Sequence, residues 1–187
     1  MRDTWDYKNA TLLEFKSASF SSRNHQHLDQ NSFTLFYKSP LLIDSGYYDD
    51  YGSSHWRNYY TRTVAHNSIT VFDSSEQFFR RLGSGENCCS NDGGQKFPDP
   101  ANPTLEQIMP GGISALDGIV GYTNTTSYSY TKGNASKAYS AEKLDQTNGF
   151  IREIIFLRDE PFWDKPIIVI FDKVTAKRNK AALNKRF

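Results

Sequence analysis

The chain carries four histidines, His25, His27, His55 and His66, all inside a 42-residue window, and the 121 residues after His66 hold none. Imidazole nitrogens ligate metals and exchange protons near neutral pH, so such a cluster points to one of those two chemistries. His25 and His27 form an H-x-H pair. Where the backbone is extended, residues i and i+2 project to one face and converge on one site. Asp44 follows the apolar run Leu41-Leu42-Ile43, at a strand end where a carboxylate has no packing role, and His66 precedes the next apolar run. Two imidazoles and one carboxylate suit zinc, which takes His nitrogen and Asp oxygen in tetrahedral geometry and leaves a fourth place for water or another ligand. His27, Asp44 and His66 would supply three ligands. Asp29 is an alternative carboxylate, equally explained as a loop acid that accepts from nearby backbone N–H groups, and spacing alone does not choose between them.

The segment His55-Trp56-Arg57-Asn58-Tyr59-Tyr60-Thr61-Arg62 gathers two guanidinium groups, two phenols and an amide. Arg binds carboxylate or sulfate through a planar fork, and aromatic rings cover the apolar faces of a pyranose, so the mixture suits an anionic sugar. Arg57, Asn58, Tyr59, Tyr60 and Arg62 are therefore candidate substrate contacts. The competing reading is an edge strand with solvated Arg and half-buried Tyr.

Positioning these groups requires a scaffold, and the apolar pattern predicts strands. Short alternating or fully apolar runs fall at 10–16, 33–37, 41–44, 68–73, 150–158 and 167–172. In 150–158 both alternating sets are largely apolar, as in a strand covered on both faces. The prediction is an all-β protein, an antiparallel β-sandwich. Lys38-Ser39-Pro40 reads as a hairpin connection, with Pro40 at a strand edge where a missing N–H is tolerated. Residues 83–112 shift to Gly, Asn, Asp and Pro and read as an inserted loop within one domain spanning 1–187. The best helical window is Thr104 to Met109, so helix content is expected to be low. The basic end, 177–187, is weakly patterned and reads as stopping without a final strand.

Composition narrows the function classes. Lys+Arg 22 against Asp+Glu 21 leaves a formal net charge of +1, which provides no global field for nucleic acid or an anionic membrane. The longest strongly apolar run, Ile167 to Phe171, is far short of the roughly 20 residues of a membrane helix. The N-terminal MRDTWDYKNA has no apolar stretch of signal-peptide type, so the sequence is expected to be cytosolic or to lack its addressing segment. Cys88 and Cys89 are adjacent, with Cα atoms about 3.8 Å apart, inside the roughly 4.4 Å lower limit of ordinary disulfides, so no disulfide is expected.

Taken together, N-H-Q-H-L-D at 24–29, L-L-I-D-S-G at 41–46, R-N-Y-Y-T-R at 57–62 and A-H-N-S-I-T-V at 65–71 resemble the heparinase II/III-like polysaccharide lyases in content and order. Met1-Arg2 with Trp5, the strand ending in Phe15-Lys16, and the runs at 150–158 and 167–174 resemble the family's C-terminal β-sandwich. N-D-G-G-Q at 91–95 and the Asn before the H-x-H pair are most similar to the heparinase II branch.

The resemblance implies eliminative cleavage of a uronic-acid polysaccharide such as heparin or heparan sulfate, within a bacterial periplasmic or secreted protein. It implies His25 as the catalytic histidine, Asn24 as a residue lining the substrate groove, and His27, Asp44 and His66 as ligands of a structural zinc. It also implies an N-terminal (α/α) toroid that holds the main tyrosine acid/base and is missing from this sequence. By that reading the chain is truncated and alone has little activity, and the sequence leaves a homodimer open. Two other readings compete. One is a non-catalytic, metal-stabilised carbohydrate-binding β-domain. The other is a cupin-type metal enzyme, disfavoured because no glycine lies between residues 1 and 45 to flank the H-x-H pair.

Overall fold

The computed structural model describes residues 1–22, 25–79, 87–158, 165–177 and 184–186. The chain forms β1 (Thr11–Lys16), β2 (Ser32–Tyr37), β3 (Ser39–Leu42), β4 (Thr70–Phe72), β5 (Phe78–Phe79), β6 (Asn87–Cys89), α1 (Leu105–Ile108), β7 (Gly118–Asn124), β8 (Tyr128–Asn134), β9 (Phe150–Leu157), β10 (Ile167–Val174) and β11 (Asn184–Arg186). One sheet has the order β1-β2-β3 and a second β10-β9-β8-β7, every pairing antiparallel. Leu13 of β1 and Ile154 and Phe156 of β9 are buried against each other, with Phe15, Phe33, Leu35, Ile168 and Ile170 packed around them. These residues join the two sheets face to face, which makes the fold an all-β sandwich of open sheets. At about 25 cal/mol per Å² of apolar area removed from water, this contact is the main source of cohesion between the layers.

A second core gathers Ile69 and Val71 with Ala135, Ala138, Tyr139, Leu144 and Phe150. It ties β4 to the turns that follow β8 and to the start of β9. Arg152 links this end to the sandwich. Its guanidinium pairs with Asp172, its cross-strand neighbour on β10, and donates to the carbonyls of Asn31 and Asn67.

Several expectations hold and several change. The six predicted strands correspond to β1–β4, β9 and β10. The connection between β2 and β3 is tighter than predicted: Lys38 alone, at φ 58°, makes the turn, and Pro40 lies within β3. The helical window appears as α1, where the Thr104 and Gln107 side chains and backbones cap each other reciprocally. β7 and β8 had no sequence signal, because the inward positions of β8 include the buried Ser129 and Thr131 in place of apolar residues.

The basic end supplies β11, which pairs with β4. That corrects the expectation of no final strand: edge pairing uses backbone groups and needs no apolar pattern. The glycine-rich stretch is only partly a loop. Its residues 83–86 lie outside the described residues, but Gln95 is buried and the Gly93 carbonyl accepts from Val71 N–H. Cys89 is disulfide-bonded. This corrects the expectation of no disulfide, since the distance limit applied describes bridges between residues apart in sequence.

Candidate functional site

The site begins with the anchoring of the 27–30 segment. Leu28 N–H donates to Thr61 O, and Thr63 Oγ1 donates to Leu28 O. Gln30 and Gln95 bond reciprocally: Gln30 N–H donates to Gln95 Oε1, and Gln95 Nε2 donates to Gln30 O. A short 3-10 turn, Thr63–Ala65, then delivers His66 in extended backbone. Ser45 N–H donates to Ala65 O, which brings the residues after β3 alongside.

These anchors bring His27, His66 and Asp44 together. His66 Nδ1 lies 2.7 Å from Arg62 O. A carbonyl can only accept, so this nitrogen carries the proton and Nε2 presents its lone pair. That arrangement, one ring nitrogen donating to a backbone carbonyl, is how metal-ligating histidines are usually oriented. His66 Nε2 lies 2.9 Å from His27 Nδ1 and 3.6 Å from Asp44 Oδ2. Donors held at zinc–ligand lengths in a tetrahedron stand about 3.3 Å apart, so the two edges bracket that spacing. The donor types are those that zinc takes. Among the described residues, however, no group of three His, Cys, Asp or Glu side chains stands arranged to hold a metal ion. Burial, followed by the facing His66, holds the His27 imidazole below its ordinary pKa. Asp29 is bound to Lys16 at 2.5 Å and is buried, so the carboxylate beside His66 is Asp44.

An aromatic patch surrounds this triad. His27 meets Tyr60 edge-on at 5.0 Å between ring centroids. Tyr60 in turn lies 5.9 Å from Tyr48 and 6.5 Å from His55. His55 also stacks on Tyr47 and leans on Tyr59. His25 sits 6.2 Å from Tyr51, which packs on Trp56. His27, His55 and His66 thus join one ring cluster, while His25 engages a separate one through Tyr51 and Trp56. Tyr47, Tyr48 and Tyr51 are exposed, at 72%, 54% and 47%, so open aromatic surface lies beside the half-buried His27 and the buried His66.

The predicted contact residues separate. Residues Trp56–Tyr60 form a π-helical turn, not an edge strand, started by Ser53 Oγ accepting from Trp56 N–H. Tyr60 and Tyr59 face the patch, the latter with its hydroxyl 2.6 Å from Ser45 Oγ. Arg57 donates to Gly52 O, and Asn58 is held between Ser54 O and Ser90 N–H. Arg62, expected among the substrate contacts, is instead internal. Its side chain is fully covered, pairs with Asp92 at 2.5 Å and lies over the Phe78 and Phe97 rings. An Arg-rich motif read without depth cannot tell a guanidinium that meets substrate from one that braces the loop beneath. Asn24 lies outside the described residues. The sequence reading missed Tyr47, Tyr48 and Tyr51; their recurrence in the polar stretch after Asp44 was the available signal.

Comparison with protein families matches residues 3–120 to the family described as Heparinase II/III-like, C-terminal. The chain belongs to that family of polysaccharide lyases. No curated protein matches the chain.

Proposed function

We propose that this chain forms one wall of the active site of a lyase that cleaves uronic-acid glycosaminoglycans of the heparin or heparan sulfate type by β-elimination. The observation that carries the reading is the convergence of His27, His66 and Asp44 beneath an exposed tyrosine patch. In β-elimination a base removes the proton at C5 of the uronate, the freed electron pair forms the C4=C5 double bond, and the C4–O bond breaks as the leaving oxygen takes a proton. His25, exposed and two residues before His27, is the proton-transferring imidazole on this wall. Tyr60 and Tyr48 offer ring faces and hydroxyls to the sugars, and Arg57 supplies the nearby cation. The family resemblance assigns the partner acid/base to a helical domain, so the 187-residue chain alone is expected to be inactive.

A zinc ion held by His27 Nδ1, His66 Nε2 and Asp44 would fix these side chains and the loop carrying His25. Elemental mass spectrometry on protein purified without added metal tests this. Near one zinc per wild-type chain, lost in His27→Ala, supports the assignment, and a metal-free folded wild type overturns it. Ultraviolet detection of an unsaturated uronate product, formed by the chain joined to its helical domain, tests the reaction. Glycan binding without that product would instead make the domain a carbohydrate-binding accessory.

A further inference from the structure

A second cavity lies apart from the histidine patch, and none of the patch residues lines it. It encloses about 510 Å³ and is walled by Leu28 and Gln30, residues 95–99 and 111–116, and the Lys137–Ala138 turn with Gln146. That volume falls in the range of small-ligand pockets, roughly 300–1,000 Å³. Phe97, Pro98 and Ile113 supply apolar surface, while Lys96, Ser114 and Gln146 supply polar groups.

Two of these polar groups are not consumed by the fold. Ser114 Oγ is buried and has no hydrogen-bond partner. An unpaired buried hydroxyl costs free energy unless something else meets it. Lys96 is exposed, and among the described residues its ammonium stands in none of the ion pairs, whereas Lys137, on the facing wall, is held by Asp117 at 2.5 Å. Asp99 interacts with Lys96 only at longer range. The pocket therefore combines the Lys96 cation, tempered by Asp99 on the same wall, an orphan hydroxyl and the oxygen of the Gln146 amide, whose Nε2 already donates to main-chain carbonyls, beside the Phe97 ring.

From this we infer a second saccharide site: the pocket takes one acidic sugar residue, with Lys96 on its carboxylate or sulfate, Ser114 Oγ on a ring hydroxyl, and Phe97 against the apolar face of the ring. The choice of a sugar over other small anions rests on the polysaccharide reading above. Because Leu28 and Gln30 lie one and three residues after His27, the occupied pocket shares a wall with the loop that carries the candidate site. The sugar can arrive free or as one residue of a polysaccharide chain, and these two sources are separable.

The test is nuclear magnetic resonance titration of the chain with sodium glucuronate, with glucose as the neutral control and a heparan-type tetrasaccharide as the chain-borne source. The expected result is saturable shifts at Lys96, Ile113 and Ser114 with glucuronate, at least tenfold weaker with glucose. Lys96→Glu should weaken binding at least tenfold, as should Ile113→Trp, which fills the mouth from an exposed position. Tyr60→Ala should leave it unchanged. Tetrasaccharide shifts at the same residues would assign the site to chain-borne sugar as well; their absence, with glucuronate still binding, would restrict it to free sugar. No saturable shift at these residues, or equal binding of glucose and indifference to Lys96→Glu, overturns the proposal. Loss of lyase activity in the joined protein would count against the catalytic reading and not against this pocket.

Discussion

The contact between the two sheets and the loops around His66 are both well buried, yet they are held by different forces. Between the sheets, Leu13, Ile154 and Phe156 meet through hydrocarbon alone. Around the site, Leu28, Gln30, Thr63, Gln95 and His66 are fixed by side chain–backbone hydrogen bonds that span up to 65 residues of sequence. Apolar contact is indifferent to direction, so it sets the layer spacing and little else. Hydrogen bonds are directional, so they can aim an imidazole nitrogen to within a few tenths of an ångström. The cost is fragility, because a buried donor that loses its partner keeps its full desolvation penalty.

The largest expected effects fall where the two regimes are strongest. Phe156→Ala should cost about 3–5 kcal/mol, the usual range for removing a fully buried aromatic ring. Denaturant titration should register that loss, while any zinc bound at the proposed site should stay with the folded fraction. Arg152→Ala should cost a similar amount, about 3–5 kcal/mol, because it strands Asp172 in a partly buried position. Unlike Phe156→Ala it should also disturb the site, since Arg152 holds the carbonyl of Asn67, next to His66. If both variants keep zinc equally, the two regions are less coupled than this geometry requires.

Gln95→Ala isolates the hydrogen-bonded regime. It removes the acceptor of Gln30 N–H and one donor to Gln30 O, leaving Ser68 Oγ on that carbonyl, and should cost about 1–3 kcal/mol. The distinguishing readout is local. Hydrogen exchange should accelerate at residues 28–31 and 61–66 before it changes in β9, and zinc affinity should fall. Uniform acceleration across the chain would show that Gln95 supports the whole fold, with no special claim on the site.

The same contrast governs what could be read from sequence. β1, β2, β9 and β10 were legible because alternation is the direct trace of a face buried in hydrocarbon. The proximity of His27, His66 and Asp44 was legible only in part, because spacing left Asp29 open as the carboxylate until its pairing with Lys16 was seen. What was hidden is depth. Arg57 and Arg62 are equivalent in a motif, yet Arg57 bonds a loop carbonyl near the surface and Arg62 is enclosed between Asp92 and two phenyl rings. Gln95 lay in a stretch whose composition reads as loop, and only its pairing with Gln30, 65 residues away, makes it interior. β8 escaped notice because Ser129 and Thr131 occupy its buried face.

The smallest expected effect lies on the sheet and separates the two regimes by pH. Tyr130 Oη donates to Glu153 Oε2 at 2.6 Å on the four-stranded sheet. This bond pushes the phenol up to about 12, and the same bond holds the Glu153 carboxyl below its ordinary value. The Glu153 contribution is present above the unfolded value of 4.5 and is lost as pH falls through the lower folded value. The Tyr130 contribution is present below the unfolded value of 10.0 and is lost as pH rises toward about 12. Tyr130→Phe should therefore destabilise the protein only between those limits, by under about 1 kcal/mol because the pair is solvent-screened. Denaturation midpoints at about pH 3.5, 7 and 11 should show the variant's deficit at pH 7 and a smaller one at either end. A deficit of equal size at all three values would mean that the tyrosine contributes through ring packing, placing this surface pair in the apolar regime.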